Sequence, residues 1–260
     1  MNRIEHLLQD TEAFHITQPA EDIRVEAGQI SADADGVRSF VFSPLHYERN
    51  YAYPLIVWLH GPGSDERQLS RVMPLVSMRN YVAVAPRGTL SACDDGGKGG
   101  YAWAQTEDHI CIAEHRVLSA IETVRRKLNV AQSRVYIAGY ACGGTMALRL
   151  ALAHPDVFAG AISLGGELPS RYAPLSRVLE CRQLRLFLAS ARDSSNYPPD
   201  RVCADLRLIH SAGIAISLRQ YPCADELTTN MLADMDRWIM EHVTSSEPAS
   251  TSAGTGSYGR

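Results

Sequence analysis

The sequence predicts an α/β fold in which helices cover both faces of a mostly parallel central sheet. The first observation is a series of short, continuous apolar runs, which are typical of strands buried on both faces. The second is that helical patterns separate these runs, and strands that alternate with helices form parallel sheets. The runs that we expect as buried strands are residues 55–59, 81–85, 134–138, 160–164, 184–188 and 214–218.

Two segments ahead of these runs have the pattern of antiparallel strands. Apolar residues alternate in residues 22–30 and are frequent in residues 36–43, which carry Val37 and Phe40. Residues 33–36, which read Asp-Ala-Asp-Gly, have the composition of a turn. We therefore expect an N-terminal antiparallel pair of strands before the parallel sheet.

Three helices are predicted between and after the strands. The clearest covers residues 106–128, with Thr106 as its N-cap and Glu107 and Asp108 near its positive end. An Ala- and Leu-rich helix covers residues 142–154 and ends at Pro155. The last helix is amphipathic and carries Leu227, Met231, Met235, Trp238 and Ile239.

Composition limits the class of protein. With 260 residues, 45% hydrophobic and 21% charged, the chain is globular, and a net charge of −4 without a basic block argues against nucleic-acid binding. Its apolar runs are too short to span a membrane. We expect one folded domain over residues 1–243 and a disordered Ser/Thr/Gly-rich tail over residues 244–260.

The N-terminus and the cysteines predict a cytoplasmic protein. Residues 1–6 carry charges where a secretory signal needs an apolar stretch. The six cysteines include no CxxC pair, which favours reduced thiols over disulfides or a zinc site. They are Cys93, Cys111, Cys142, Cys181, Cys203 and Cys223.

Three strand ends carry the candidate site residues, because ligands of open α/β sheets bind beyond the C-terminal ends of strands. Residues 134–144 run from a strand into a helix with the glycine frame of a G-x-S-x-G nucleophile elbow, but its central residue is Ala141. Residues 60–63, His-Gly-Pro-Gly, follow a buried strand where an oxyanion-hole loop lies in such folds. Asp193 follows another strand, and Asp225 precedes the last helix.

These segments resemble the phospholipase/carboxylesterase group of α/β-hydrolases, which includes acyl-protein thioesterases and small bacterial carboxylesterases. The resemblance covers roughly residues 20–242 and rests on residues 59–61, 84–88, 138–148, 154–160 and 221–227. It implies an α/β-hydrolase fold and a triad in the order Ser, Asp, His. Its three positions fall on Ala141, Asp193 and Asp225 of this chain.

Two of these three positions lack the chemistry of a hydrolase. Ala141 has no hydroxyl group, and a carboxylate at Asp225, with an ordinary pKa of about 4, is a poor proton acceptor. The resemblance also implies an oxyanion donor at Pro62, which has no N–H, although Gly63 could donate after a shift of the loop. The N–H of Cys142 is retained as the second donor.

The chain is therefore interpreted as a catalytically degenerate esterase. We expect it to bind a small acyl or ester-like ligand, or a protein partner, in the former cleft. Residues expected to line the cleft are His60, Gly61, Pro62, Gly63, Tyr101 and Trp103. A laboratory Ser→Ala substitution would explain Ala141 but neither Asp225 nor Pro62, so natural degeneration is favoured.

Other hypotheses stay open beside this one. An active carboxylic ester or thioester hydrolase would use the Cys142 thiol or an unrecognised base, but Tyr140 would then stand where the elbow needs a small residue. A third hypothesis, an oligomeric interaction module, predicts a stable homodimer. We expect no cofactor and no metal, since the convergent candidates mix hard and soft ligands: His60, Asp193, Asp225, Cys142 and Cys223.

Overall fold

A computed structural model describes residues 28–32, 36–92, 99–172 and 174–245. The strands are β1 (Gly28–Ala32), β2 (Arg38–Phe42), β3 (Tyr53–Leu59), β4 (Val82–Pro86), β5 (Leu90–Ala92), β6 (Gly100–Ala102), β7 (Val130–Tyr140), β8 (Gly160–Leu164), β9 (Arg185–Ala191) and β10 (Ala215–Tyr221). The helices are α1 (Gln68–Val76), α2 (Glu107–Lys127), α3 (Cys142–Ala153), α4 (Val178–Cys181), α5 (Pro199–Ser211) and α6 (Thr229–Ser245).

Eight of these strands form one sheet in the order β1-β2-β4-β3-β7-β8-β9-β10. Strand β2 pairs antiparallel with both β1 and β4, whereas the pairs from β4 through β3 to β10 are parallel. Strands β5 and β6 form a separate antiparallel hairpin. The predicted fold class, a mostly parallel sheet with N-terminal antiparallel strands, is confirmed.

Alternate side chains of the central strands enter two hydrophobic clusters on opposite faces of the sheet. In β3, Leu55, Val57 and Leu59 pack with residues of α2, α3 and α5. Ile56 and Trp58 pack on the other face with residues of α1 and α6. Because both faces are covered, every residue of β3 is buried, which explains why the strand is a continuous apolar run.

Strand β10 departs from this pattern. We expected residues 214–218 to form a strand buried on both faces, but β10 is the outer strand of the sheet and is exposed at five of its positions. Ile214 and Ile216 still pack against the α5 side of the core. The strand was correctly predicted and its burial was not, because an edge position is a property of the topology and not of the local sequence.

Several predicted elements extend beyond the residues that the structure describes. Residues 22–27 of the first predicted strand and residues 33–35 of the turn lie outside them. Helix α6 continues to Ser245, and residues 246–260 of the predicted tail also lie outside. The division into residues 1–243 and 244–260 therefore stays a prediction. No helix of the described residues is both long and apolar enough to span a membrane.

The sequence interpretation did not include α1, α4, α5 or the β5–β6 hairpin. Helix α1 is short, but its buried residues Leu69, Val72, Met73 and Val76 have helical spacing. Helix α5 begins at Pro199, a residue favoured in the first turn of helices. These two signals were present in the sequence and could have predicted both helices.

Candidate active site

The turn between β7 and α3 has the geometry of a nucleophile elbow. Ala141, at its apex, adopts φ 49° and ψ −118°, a conformation that costs a non-glycine residue about 1–3 kcal/mol. Its N–H donates to the Leu164 carbonyl at 2.9 Å, and its carbonyl accepts from the Thr145 N–H at 3.0 Å. The strained turn is thus fully formed around a residue that has no nucleophilic group.

Three glycines allow the backbone to pack closely around this apex. A Cβ atom on Gly139 would lie 2.4 Å from the Gly143 carbonyl carbon, and one on Gly143 would lie 2.2 Å from the Leu59 oxygen. A Cβ on Gly166 would lie 2.3 Å from the Ala141 oxygen. Since all three contacts are with backbone, any side chain at these positions would force segments of chain apart.

Replacing Ala141 with glycine should stabilise the protein by about 1 kcal/mol. Glycine adopts positive φ without strain, and this gain exceeds the entropy that a glycine loses on folding. The measurement is urea unfolding of the wild type and Ala141→Gly. Ala138→Gly, in the buried part of β7, is the matched control and should lose about 1 kcal/mol. A loss of stability in both variants would contradict the prediction.

The carboxylate of Asp225, at the predicted histidine position, links two loops. It accepts hydrogen bonds from the Ser194 hydroxyl, from the N–H and hydroxyl of Ser195 at 3.1 and 2.9 Å, and from the Asn196 N–H at 3.4 Å. Burial favours the neutral acid, but the hydrogen bonds from Ser194 and Ser195 outweigh it and lower the pKa of Asp225. Asp225 therefore stays ionised and acts as a link between loops.

Asp193, at the predicted acid position, faces solvent. Its carboxylate lies 3.3 Å from the Arg192 guanidinium, and 59% of its side chain is exposed. Its backbone N–H donates to the Cys223 carbonyl at 3.0 Å, so the two loops are adjacent. Within the described part of the chain, no hydrogen bond joins the side chains of Asp193 and Asp225, and the acid has no base to orient.

His60 lies beneath the predicted oxyanion loop, where we had expected a residue that contacts substrate. The ring is fully buried, with Nδ1 2.8 Å from the Gly61 oxygen and Nε2 accepting from the Gly88 N–H at 2.9 Å. Burial lowers the pKa of His60, so the ring is neutral and Nδ1 carries the proton. Both ring nitrogens are engaged, and the ring supports the loop from inside.

The loop itself offers few donors to a ligand. The Gly61 N–H donates to Gln68 Oε1 at 3.1 Å, and Pro62 has no N–H. Pro62 and Gly63 are exposed, and Gly63 has φ +70° in open space. Among the donor positions that the resemblance implies, those with an uncommitted candidate N–H in the described residues are Gly63 and Cys142, the latter at the start of α3.

An ion pair that the sequence interpretation missed holds this loop in place. Glu66 is fully buried and receives two hydrogen bonds from the Arg87 guanidinium, at 2.7 and 2.5 Å. Arg87 also donates to the Tyr101 hydroxyl at 3.2 Å and lies over the Tyr101 ring. Burial opposes ionisation of Glu66, but Arg87 outweighs it and lowers the pKa of the carboxyl. Arg87 lies within residues 84–88, one of the segments that carry the family resemblance.

Tyr101 and Trp103, the aromatic residues expected in the cleft wall, contact the residues that hold the oxyanion loop in place. Trp103 is 2% exposed, and its ring lies beside His60 with the centroids 5.5 Å apart. Tyr101 is half-buried and pairs with Ser64 through an isolated bridge. Trp103 therefore lies behind the loop, whereas Tyr101 lies at its edge beside Arg87.

Tyr140 and Cys142 flank the apex of the elbow. The Tyr140 hydroxyl donates to the Asp225 carbonyl at 2.9 Å, and its ring covers Gly61, where a Cβ would lie 2.5 Å from a ring carbon. Burial raises the pKa of Tyr140 to about 12. Burial likewise raises the pKa of the Cys142 thiol, despite hydrogen bonds from the Trp103 and Gly143 backbone. The thiol is therefore protonated at neutral pH, a state unsuited to nucleophilic attack.

Comparison with known proteins finds a family model that matches most of the chain. The sequence model of a family described as "Putative esterase" matches residues 35–205. "Putative esterase NocK" of Nocardia uniformis subsp. tsuyamanensis is 32% identical over 120 residues, which are 45% of this chain and 34% of that protein. The chain thus spans about a third of the length of the curated relative that it matches.

Solved structures share the fold at low sequence identity. A carboxylesterase from Mesorhizobium loti superimposes with a TM-score of 0.66 at 17% identity, covering 82% of this chain and 99% of its own. The Bacillus cereus carboxylesterase gives 0.61 at 14%, covering 79% and 94%. Acyl-protein thioesterase 2 of Zea mays gives 0.61 at 16%, covering 80% and 99%. At these identities the likeness concerns the fold alone.

Proposed function

Because the chain belongs to the esterase family of α/β-hydrolases, we propose that it is a degenerate member that binds an acyl or ester-like ligand without hydrolysing it. The observation that carries the proposal is the Ala141 elbow, which keeps its strained geometry around a methyl group. A serine hydrolase needs a hydroxyl at this point and a histidine to take its proton. Ala141 and Asp225, which occupy these two positions, supply neither group.

The loop that carries Asp225 strengthens the proposal. In a working triad this loop would present an imidazole to the serine, with the acid behind it. Here Asp225 is ionised and bonded to Ser194 and Ser195, and Asp193 faces Arg192. Loss of triad groups alone leaves about 10³–10⁴-fold catalysis over water, supplied by the oxyanion hole and binding. Pro62 removes one donor of that hole as well.

The ligand class follows from what the elbow keeps. Helix α3 begins directly after Ala141, so its positive end and the Cys142 N–H point toward the apex. A carbonyl oxygen is the group that these donors suit, and the Ala141 methyl leaves an apolar floor beside it. An ester or acyl group is therefore the favoured ligand, and an acylated protein partner has the same chemistry.

Hydrolysis and binding assays test the proposal together. With p-nitrophenyl butyrate we expect the release of p-nitrophenol to equal that of buffer, because residue 141 has no hydroxyl and the histidine position holds the Asp225 carboxylate. With ethyl butyrate we expect saturation transfer from the protein in ligand-observed NMR. Equimolar ethanol and butyrate are the control, and neither should show transfer of comparable size. Absence of transfer from the intact ester would contradict the binding proposal.

Cys142 supplies the control for hydrolysis. Turnover above buffer that survives repeated purification would contradict the proposal of degeneracy. If that turnover is lost in Cys142→Ala, the thiol is the nucleophile and the chain is a cysteine hydrolase. If it persists in Cys142→Ala, another base and nucleophile operate in the site. The raised pKa of the Cys142 thiol argues against the first of these results, because the thiol is protonated at neutral pH.

A further inference from the structure

A cavity lies at the opposite end of the sheet from Ala141. It has a volume of about 440 Å³ and is bounded by the first residues of β9 and β10 and by α6. Arg185 and Ala215 are paired at the start of these parallel strands, whereas Ala141 follows the end of β7. The length of a seven-residue strand, roughly 20 Å, separates the two ends of the sheet. The cavity is therefore independent of the elbow.

Two arginines give this cavity a positive charge. Arg182 and Arg185 both line it, and neither forms an ion pair with a carboxylate in the described residues. The Arg182 Nε donates to the Ala212 carbonyl at 3.4 Å. A Cβ on Gly213 would lie 3.3 Å from the same Nε atom. The Arg182 side chain is thus held along this turn, which reduces the entropy lost when it binds a ligand.

An aromatic wall adjoins the arginines. Trp238 and His242 of α6 line the cavity with their rings edge to face, the centroids 4.1 Å apart. Trp238 is only 5% exposed and His242 is half-buried, so the His242 ring is the more accessible of the two. Burial and then Arg185 lower the pKa of His242, so this imidazole is neutral at pH 7 and Arg185 lies within electrostatic range of it. Ile216 and Ser217 of β10 complete the wall, one apolar and one with a hydroxyl group.

We propose that this cavity binds a small organic anion, with a carboxylate or phosphate group between Arg182 and Arg185 and an apolar or aromatic body against His242 and the exposed edge of Trp238. The planar guanidinium groups match the geometry of both anions, and charge-assisted hydrogen bonds are the strong ones. A volume of about 440 Å³ falls in the range of small-molecule sites. Inorganic phosphate would satisfy the arginines but leave the aromatic wall uncovered.

Calorimetric titration with four probes tests the proposal. Phenyl phosphate and benzoate should bind saturably, and their relative affinity identifies the preferred head group. Inorganic phosphate and benzyl alcohol each lack one half of the recognised structure and should bind at least about tenfold more weakly. No saturable binding of either aromatic anion up to about 10 mM would overturn the proposal.

Charge-removing variants place the binding in this cavity. Arg185→Gln and Arg182→Gln should each weaken binding of the better anion about tenfold, because each removes one charged donor. Arg207→Gln, on an exposed arginine of α5 outside the cavity, is the matched control and should leave the affinity unchanged. Equal affinity in all three variants would overturn the proposal. Ala141→Gly should also leave it unchanged, which separates this result from the test of the elbow.

Discussion

Arg87→Met should lower the free energy of unfolding by about 3–5 kcal/mol, because it leaves the Glu66 carboxylate buried without a partner. Glu66 has no exposed side-chain surface, whereas Arg87 is 21% exposed and also contacts Tyr101. Removal of the arginine is therefore more damaging than removal of the glutamate. Glu66→Gln leaves a cation that water can partly reach, so it should cost less than Arg87→Met.

Urea unfolding at neutral pH measures this loss. The double variant Glu66→Leu with Arg87→Met should recover most of it, since an apolar pair needs no desolvated charge. Arg192→Ala, which removes an exposed ion pair with Asp193, should leave the unfolding midpoint unchanged. A midpoint shift as large for Arg192→Ala as for Arg87→Met would contradict the assignment of stability to the buried pair.

The same ion pair has a pH dependence with a defined sign. The folded state holds the pKa of Glu66 below its ordinary value of 4.5, so the unfolded state binds the proton more readily. The stabilisation is present above pH 4.5 and is lost as the pH falls through the lower, folded pKa. The difference in stability between the wild type and Arg87→Met should therefore shrink in acid.

Gly143→Ala should cost about 3 kcal/mol or more, because its Cβ would lie 2.2 Å from the Leu59 oxygen and 2.5 Å from the His60 oxygen. Both atoms belong to backbone at the end of β3, which is buried in the centre of the sheet. The start of α3 would have to move away from β3 to accommodate the methyl group. The free energy of unfolding, measured in urea, reports this cost.

Gly165→Ala is the matched control for the elbow glycine. Gly165 has φ +72°, and a Cβ at this position would lie 3.7 Å from the Tyr140 ring, which is an ordinary contact. Its cost should be that of backbone strain alone, about 1 kcal/mol. Equal costs at Gly143 and Gly165 would show that the close approach of α3 to β3 does not limit the stability of the elbow.

The fold could be predicted from the sequence because its determinants are local. A run such as residues 55–59 is apolar at every position, since both faces of the central sheet are covered. The elbow was likewise predictable, because Gly139 and Gly143 keep a fixed spacing around Ala141 that backbone packing requires. The exposure of β10 was not, since it depends on which strand ends the sheet.

The interactions within the site were less predictable than its location. Glu66 and Arg87 lie 21 residues apart, and nothing in either local sequence indicates that they meet. The serines that bind Asp225 follow Asp193 directly, but they became partners only when the fold placed two loops side by side. His60 was correctly placed in the loop, yet the direction of its ring was set by Gly88, 28 residues away.

The persistence of the Ala141 elbow bears on how such a protein evolves. The glycines around the turn permit its close packing, and the positive φ of residue 141 is present although alanine supplies no nucleophile. In the genetic code, alanine and serine codons differ by a single base, as do those of aspartate and histidine. Of the two altered triad positions, Asp225 is the more constrained, because its carboxylate joins two loops through Ser194 and Ser195. Under the proposed function, a histidine at this position would supply a base but would lose the hydrogen bonds that join the two loops, so Asp225→His alone should destabilise them.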